Sequence, residues 1–150
     1  MKNLTRIALI AAVYVVLTVV FLPYSFGPVQ VRLAECLTVI PYLFPETMWG
    51  LFLGCFLANF LGGMGFLDIF IGSLLTLLAG FLTSQVTQTW MAPLPPILIN
   101  ALGVSGYLAY LLQVNYWYSV TWIAVGETIA CFGLGYPLLL FLQKRLKERG

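Results

Sequence analysis

Histidine is absent from these 150 residues, and charged residues make up only 8% of them. The first absence removes the usual haem ligand and the commonest general base. It also rules out Ser-His and Cys-His nucleophilic pairs. The second rules out a soluble globular domain. With 61% hydrophobic residues and a mean hydropathy of +0.99, too few polar side chains remain to cover a water-facing surface. No Gly-x4-Gly-Lys-Ser/Thr phosphate loop occurs, so ATP hydrolysis is not expected of this chain by itself. Cysteine is scarce as well. Cys36, Cys55 and Cys131 each stand alone in an apolar run, without CxxC spacing, which indicates neither a zinc site nor a disulfide framework. They read as small packing residues. No cofactor, no metal, no nucleic-acid partner and no enzymatic activity are expected.

What is present is a chain of apolar runs with charge at its ends. Lys2 and Arg6 precede the first run, and Lys144, Arg145, Lys147 and Arg149 follow the last, with Glu148 against them. The positive-inside rule then puts both termini in the cytoplasm and requires an even number of spans. The start resembles a signal peptide, but Pro23-Tyr24-Ser25-Phe26 stands where a small-x-small cleavage site would be. Six spans are expected, at about 5–22, 32–44, 47–61, 67–86, 97–112 and 119–142. The second is short and contains Pro41, which is tolerated where the freed backbone lines a cavity or is covered by protein. Pro45 and Glu46 suit the start of the third, with Glu46 at the positive end of the helix dipole. The prolines at 93, 95 and 96 are read as closing a cytoplasmic turn, and residues 113–118 as an external aromatic belt. The expected fold is an all-α integral membrane protein: one domain over residues 1–150, a compact bundle of six transmembrane helices.

Small residues recur at helical spacing: Ala8 and Ala12; Gly50, Gly54 and Ala58; Gly72, Thr76 and Gly80; Gly126, Ala130 and then Gly133. Such stripes let helices approach closely in lipid.

The residues most costly to place in such a bundle are its ionisable ones, and these mark a site by default. Arg32 and Glu35 lie three apart and share a helix face. On the six-span topology they join Asn59, Asp68 and Glu127 in the external half. Gln30 lies in the loop above, and Asn100 nearer the cytoplasmic end of its span. Tyr24, Phe26, Trp117 and Trp122 are external aromatics able to stack on a planar ligand. Arg32 against Glu35, Asp68 and Glu127 leaves a formal charge of −2, which protons or a donor-rich ligand must answer. The competing reading is a structural ion-pair network in which Arg32 satisfies Glu35 or Asp68. From the residues alone, this is a small six-span protein that binds something polar from outside.

Five stretches carry a resemblance to a known family: Val29-Gln30-Val31-Arg32-Leu33-Ala34-Glu35; Pro45 with Gly50 through Asn59; Asp68 through Thr76; Leu94-Pro95-Pro96 with Asn100-Ala101; and Gly126-Glu127-Thr128-Ile129-Ala130. In this order the chain resembles the QueT family, the substrate-binding S components of energy-coupling-factor (ECF) transporters for queuosine precursors. Leu33-Ala34 stands where the family more often has isoleucine-serine. The resemblance implies a six-helix S component in a prokaryotic cell membrane, with a substrate pocket near the external face. It implies as partners a transmembrane coupling protein and two cytoplasmic ATPase subunits. The substrate would be a 7-deazaguanine or related precursor, bound by Gln30, Arg32, Glu35, Asn59, Asp68, Glu127, Asn100 and Trp117. The chemistry of those residues agrees. A carboxylate accepts the adjacent N–H donors of a guanine-like edge, and an arginine or amide donates to its carbonyl. An aminomethyl substituent would bring a cation to another carboxylate. The resemblance further implies that Ala8 and Ala12 on the first helix dock on the coupling protein. Two other readings stand beside it: an S component for a different vitamin or nucleobase-like ligand, and a non-transporting membrane scaffold.

Overall fold

In apolar surroundings backbone N–H and C=O groups must pair within their own segment, so long apolar runs become helices. The computed structural model describes residues 1–21, 32–63 and 65–149, and among these every regular element is helical. Helix α1 is Lys2–Val20, α2 is a 3-10 helix at Leu33–Tyr42, and α3 is Thr47–Leu61. Helix α4 runs Asp68–Gln85 and opens with a π turn at Asp68–Gly72. Helix α5 is Leu94–Leu112, preceded by a short 3-10 turn at Thr89–Met91. Helix α6 runs Tyr116–Glu148 and contains a π segment at Ile129–Gly135. Four segments are long and apolar enough to cross a membrane, those of α1, α4, α5 and α6, while α2 and α3 are shorter apolar helices.

Helix α2 is the centre of the packing. Every residue from Ala34 to Pro41 is buried, because α1, α3, α4, α5 and the π segment of α6 all touch it. An element buried all round needs apolar residues on every face, and α2 has them except at Glu35 and Thr38. Its 3-10 winding carries ten residues about 20 Å, against about 15 Å for an α-helix. In that winding residues three apart eclipse, so Glu35 and Thr38 stack in one row, with Arg32 at the extended residue just before the helix.

Helices α1 and α3 pack closest through glycine. A Cβ on Gly50 would stand 2.5 Å from the Ile7 carbonyl oxygen, and one on Gly54 would stand 2.7 Å from Tyr14 Cβ. Gly135 plays the same part between the π segment and α2, where a Cβ would come 2.8 Å from the Cys36 oxygen. The far end is tied by side chains. Tyr42 Oη donates to the Thr87 oxygen at 3.4 Å, Thr89 Oγ1 to Tyr42 Oη at 3.3 Å, and Gln143 Nε2 to Thr89 Oγ1 at 3.1 Å.

Three boundaries differ from the sequence reading. Helix α5 starts at Leu94, so Pro95 and Pro96 lie in its first turn rather than in the preceding loop. The first four N–H groups of a helix have no intrahelical partner, and proline there sacrifices nothing. Helix α6 starts at Tyr116, because Asn115 Oδ1 accepts from the Trp117 and Tyr118 N–H groups at 2.9 and 3.4 Å. The aromatic stretch thus belongs to the helix start, and the helix continues through the basic tail. Glu46 does not cap α3 with its side chain. It accepts from Arg6 at 2.7 Å, and Arg6 also lies over the Phe44 ring, 4.1 Å from its centroid. That hydrogen bond from Arg6 holds the Glu46 carboxyl below the usual range.

The glycine contacts give a direct test. Gly54→Ala should cost about 1–3 kcal/mol by overpacking against Tyr14. Gly106, on α5, has nothing within 4 Å of the point where a Cβ would stand, so Gly106→Ala should be neutral or stabilising by up to about 1 kcal/mol. Thermal unfolding in detergent compares the two, and equal losses would remove the packing argument.

Candidate functional site

Two buried polar groups meet beside α2. The first is built on Asp68, whose position in the opening π turn of α4 faces inward. Arg32 Nη2 donates to Asp68 Oδ1 at 3.2 Å, with both side chains over nine-tenths buried. Tyr107 Oη, from α5, donates to the same oxygen at 2.6 Å, and Asn59 Nδ2, from α3, donates to the Asp68 backbone oxygen at 2.7 Å. Gly72 makes room for this group. A Cβ there would stand 3.2 Å from Tyr107 Oη and 3.5 Å from Asn59 Nδ2.

The second group joins two acids through one amide. Asn100 Nδ2 donates to Glu35 Oε2 at 3.3 Å and to Glu127 Oε1 at 3.1 Å. Tyr14 Oη, from α1, donates to Glu35 Oε1 in a very short hydrogen bond. Glu127 lies in the last turn before the π segment of α6. Cys131, inside that segment, approaches Glu127 Oε2 at 3.6 Å and the Glu35 backbone oxygen at 3.5 Å. Thr38 Oγ1 donates to that same backbone oxygen at 2.6 Å. Both π windings therefore sit beside an inward-facing acid, a placement π turns often have at functional sites.

Between the two groups lies a cavity of about 10 Å³, lined by Arg32, Gly72, Thr76, Asn100, Val104, Ile123 and Glu127. That is room for about one water molecule, far below the roughly 300–1,000 Å³ of ordinary small-molecule pockets. Its wall is amphoteric, with a guanidinium on one side and a carboxylate and an amide on the other. Such a wall can donate to a carbonyl and accept from N–H groups at once. Among the described residues no group of three Cys, Asp or Glu side chains is arranged to hold a metal ion.

The structure brings together Arg32, Glu35, Asn59, Asp68, Asn100 and Glu127. Asn100 sits at the heart of the cluster rather than toward one end. Trp117 is not brought there. It is 66% exposed on the outside of α6, against the Tyr116 ring. Gln30, with Tyr24 and Phe26, lies outside the described residues. Ala8 and Ala12 lie on the exposed side of α1, opposite the Ile10 and Tyr14 face that packs on the core. Two residues went unmarked in the sequence, Tyr14 and Tyr107. Their one sequence signal is a hydroxyl inside an otherwise apolar run. Cys55 and Cys131 do more than fill space, since Cys55 Sγ accepts from Asn59 and Thr76, each at 3.5 Å.

The fold and the cluster define a class: an all-helical chain with helices of membrane-spanning length, built around a buried polar site. The model of the family described as "QueT transporter" matches residues 4–144, and the chain belongs to that family of transporters. A Lactococcus lactis subsp. cremoris protein described as "Queuosine precursor transporter QueT" is 32% identical over 77 residues. The alignment covers 50% of this chain and 45% of that protein, so the chain spans less than half of its relative. No solved structure matches.

Removing Arg32 would leave Asp68 buried without its cation. Arg32→Ala should therefore cost about 3–5 kcal/mol of stability. Arg32→Lys should recover part of that, because it keeps the charge and loses the planar fork. Trp117→Ala should stay within about 0.5 kcal/mol. Chemical unfolding of the three variants in detergent checks the order, and an Arg32→Ala variant as stable as the parent would remove the ion pair from the account.

Proposed function

We propose that this chain is the membrane-embedded substrate-binding component of an importer for a queuosine precursor of the 7-deazaguanine type, queuine included. In this reading all six helices cross the membrane, and both termini, with Lys2, Arg6, Lys144, Arg145 and Lys147, face the cytoplasm. The site opens toward the external side. The importer is of the ECF type, so a transmembrane coupling protein and two ATPase subunits supply the driving force. The missing phosphate loop supports a separate source of ATP hydrolysis. The description of the Lactococcus relative supports the ligand class.

The observation that carries the reading is the amide of Asn100 held between two buried acids, beside a cavity bounded by Arg32. A guanine-like edge offers adjacent ring N–H and amino donors next to a carbonyl acceptor. In this reading Glu127 accepts the donors and Arg32 serves the carbonyl. The small volume of the cavity favours a competing reading, a scaffold subunit whose polar cluster is only structural. Co-purification separates the two, since a binding component retains an ultraviolet-absorbing base and a scaffold does not.

Calorimetric titration of the purified chain with guanine, 7-deazaguanines and queuine tests the reading. Glu127→Gln replaces an acceptor-only group by one that also donates, and should weaken deazaguanine binding by about 10–100-fold. If the amide variant binds as tightly as the parent, Glu127 is structural. A second test separates transport from binding. Ala8→Leu with Ala12→Leu places bulk on the exposed side of α1, where close helix approach depends on small residues. That variant should bind ligand normally and fail to assemble with the coupling protein or support ATP-driven uptake. Assembly and uptake at parental levels would move the docking surface elsewhere.

A further inference from the structure

Helix α1 and the part of α6 beyond its π segment both pack on α2, but scarcely on each other. A furrow is left between them. Arg6, Leu9 and Val13 form its wall on α1, spaced three and four apart and so on one face. Leu138 and Leu142 form the wall on α6, and Leu37 of α2 lies in the floor. The furrow holds about 310 Å³ and continues past Phe44 and Leu142 into a second hollow of about 350 Å³ beside Arg145. Either is large enough for a small ligand, which the 10 Å³ of the polar site is not. Apart from Arg6, the one polar side chain in the furrow is Thr47, and its Oγ1 already donates to the Phe44 oxygen at 2.7 Å. What fills the furrow must therefore be apolar.

Cations stand at one end of it, on both walls. Seven residues separate Arg6 from Val13 and Arg145 from Leu138, about 10 Å along each helix. That is most of the roughly 15 Å of hydrocarbon in one leaflet. Arg6 is fixed at the mouth by Glu46 at 2.7 Å and by the Phe44 ring, 4.1 Å from its centroid, yet its side chain is 41% exposed. Arg145 is 61% exposed, and its ion pair with Glu148 spans 3.5 Å. A guanidinium carries five N–H donors, so both keep donors for an anion. Lys2, Lys144 and Lys147 add charge at the same end and make no ion pair among the described residues. Glu46 and Glu148 are the acids set against these five cations.

We infer that this furrow seats one anionic phospholipid, with an acyl chain along Leu9, Val13, Leu37 and Leu138 and its phosphate on Arg6 and Arg145. The inference goes beyond the proposed function and does not depend on it. The apolar walls alone would take any lipid tail or a partner's helix, and the cations decide between them. A guanidinium meets a phosphate through two parallel N–H bonds. In a zwitterionic lipid an ammonium sits beside that phosphate and is repelled by the surrounding lysines, whereas an anionic headgroup is not. Basic pockets between helices at a membrane face hold anionic headgroups in this way. A partner's helix would leave both guanidinia without an anion unless it carried acids at this one turn. Ala8 and Ala12 lie off the furrow's face of α1, so a seated lipid leaves that pair of alanines free.

The test is native mass spectrometry of the purified full chain, released from detergent with equal amounts of dioleoyl phosphatidylglycerol and dioleoyl phosphatidylcholine. The chain should retain one lipid and prefer the anionic one at least about tenfold. R145Q removes a furrow cation and should bring that preference below about threefold. K147Q removes a charge that does not line the furrow and should leave the preference intact. V13F narrows the furrow and should cost retention of both lipids. Val13 and Arg145 are both exposed, so the fold survives either change, as thermal unfolding in detergent checks. Equal retention of the two lipids would overturn the inference. So would equal losses for R145Q and K147Q, the mark of a diffuse basic surface. Displacement of the lipid by glycerol 3-phosphate would reduce the seat to an anion site without a chain. A dimer that V13F dissolves would give the furrow to a second copy, and either result would also overturn the inference.

Discussion

A carboxylate in an apolar bundle must find donors, because a buried charge without partners costs several kcal/mol. Glu35, Asp68 and Glu127 find theirs on other helices. Tyr14 comes from α1, and Asn100 and Tyr107 from α5, while Asn59 of α3 holds the Asp68 backbone oxygen. Each of those bonds has a direction, whereas the apolar contacts around them do not. Between helices of similar greasiness, packing alone leaves rotation about the helix axis weakly determined. The donors fix it. One turn of α1 in the wrong sense would take Tyr14 off Glu35, and the same turn of α5 would strip donors from both groups at once.

Those bonds demand close approach, and glycine supplies it where the helices are tightest. Gly50 and Gly54 let α1 lie against α3, which carries Tyr14 inward to α2. Gly135 lets the π segment of α6 lie against α2, which brings Glu127 and Cys131 to Glu35. Small residues and buried polar groups are therefore one design. Removing either would leave the other without a purpose, since wide spacing would strand the acids and tight spacing alone would not orient them.

The acids, Arg32, Asn59 and Asn100 were legible in the sequence because each is rare inside an apolar run. The boundaries of α3 were legible because Pro45-Glu46 and Gly62-Gly63 punctuate both its ends. Tyr14 and Tyr107 were not, because a tyrosine in such a run reads equally well as an interfacial anchor. Only the neighbouring helix tells the two apart. The depth of Asn100 was lost to a misplaced helix start. With α5 beginning after its prolines, Asn100 falls in the first turn; with α5 beginning at Leu94, it lies almost a turn further in, level with Glu35 and Glu127. The 3-10 winding of α2 carries no signal beyond Pro41, since its cause is the set of helices wrapped around it. Trp117 was drawn toward the site by its chemistry alone, and the Asn115 cap sets where α6 begins and leaves the ring outside.

The cavity imposes a last constraint on how a planar base would be accommodated. Its volume of about 10 Å³ is too small for any bicyclic ring, so seating one requires part of the wall to give. Asn100, Val104 and Tyr107 follow one another at spacings of four and three along α5, on a single face. Helix α5 therefore holds both polar groups, through Asn100 on one side of Val104 and Tyr107 on the other. It cannot shift without loosening both. The wall that gives most cheaply is the apolar one, where Val104 meets Ile123 of α6 and no directional bond is lost when side chains repack. Under the proposed function a base would therefore enter edge-on between α5 and the first half of α6, with the polar groups as the frame and the apolar contacts between them as the part that gives.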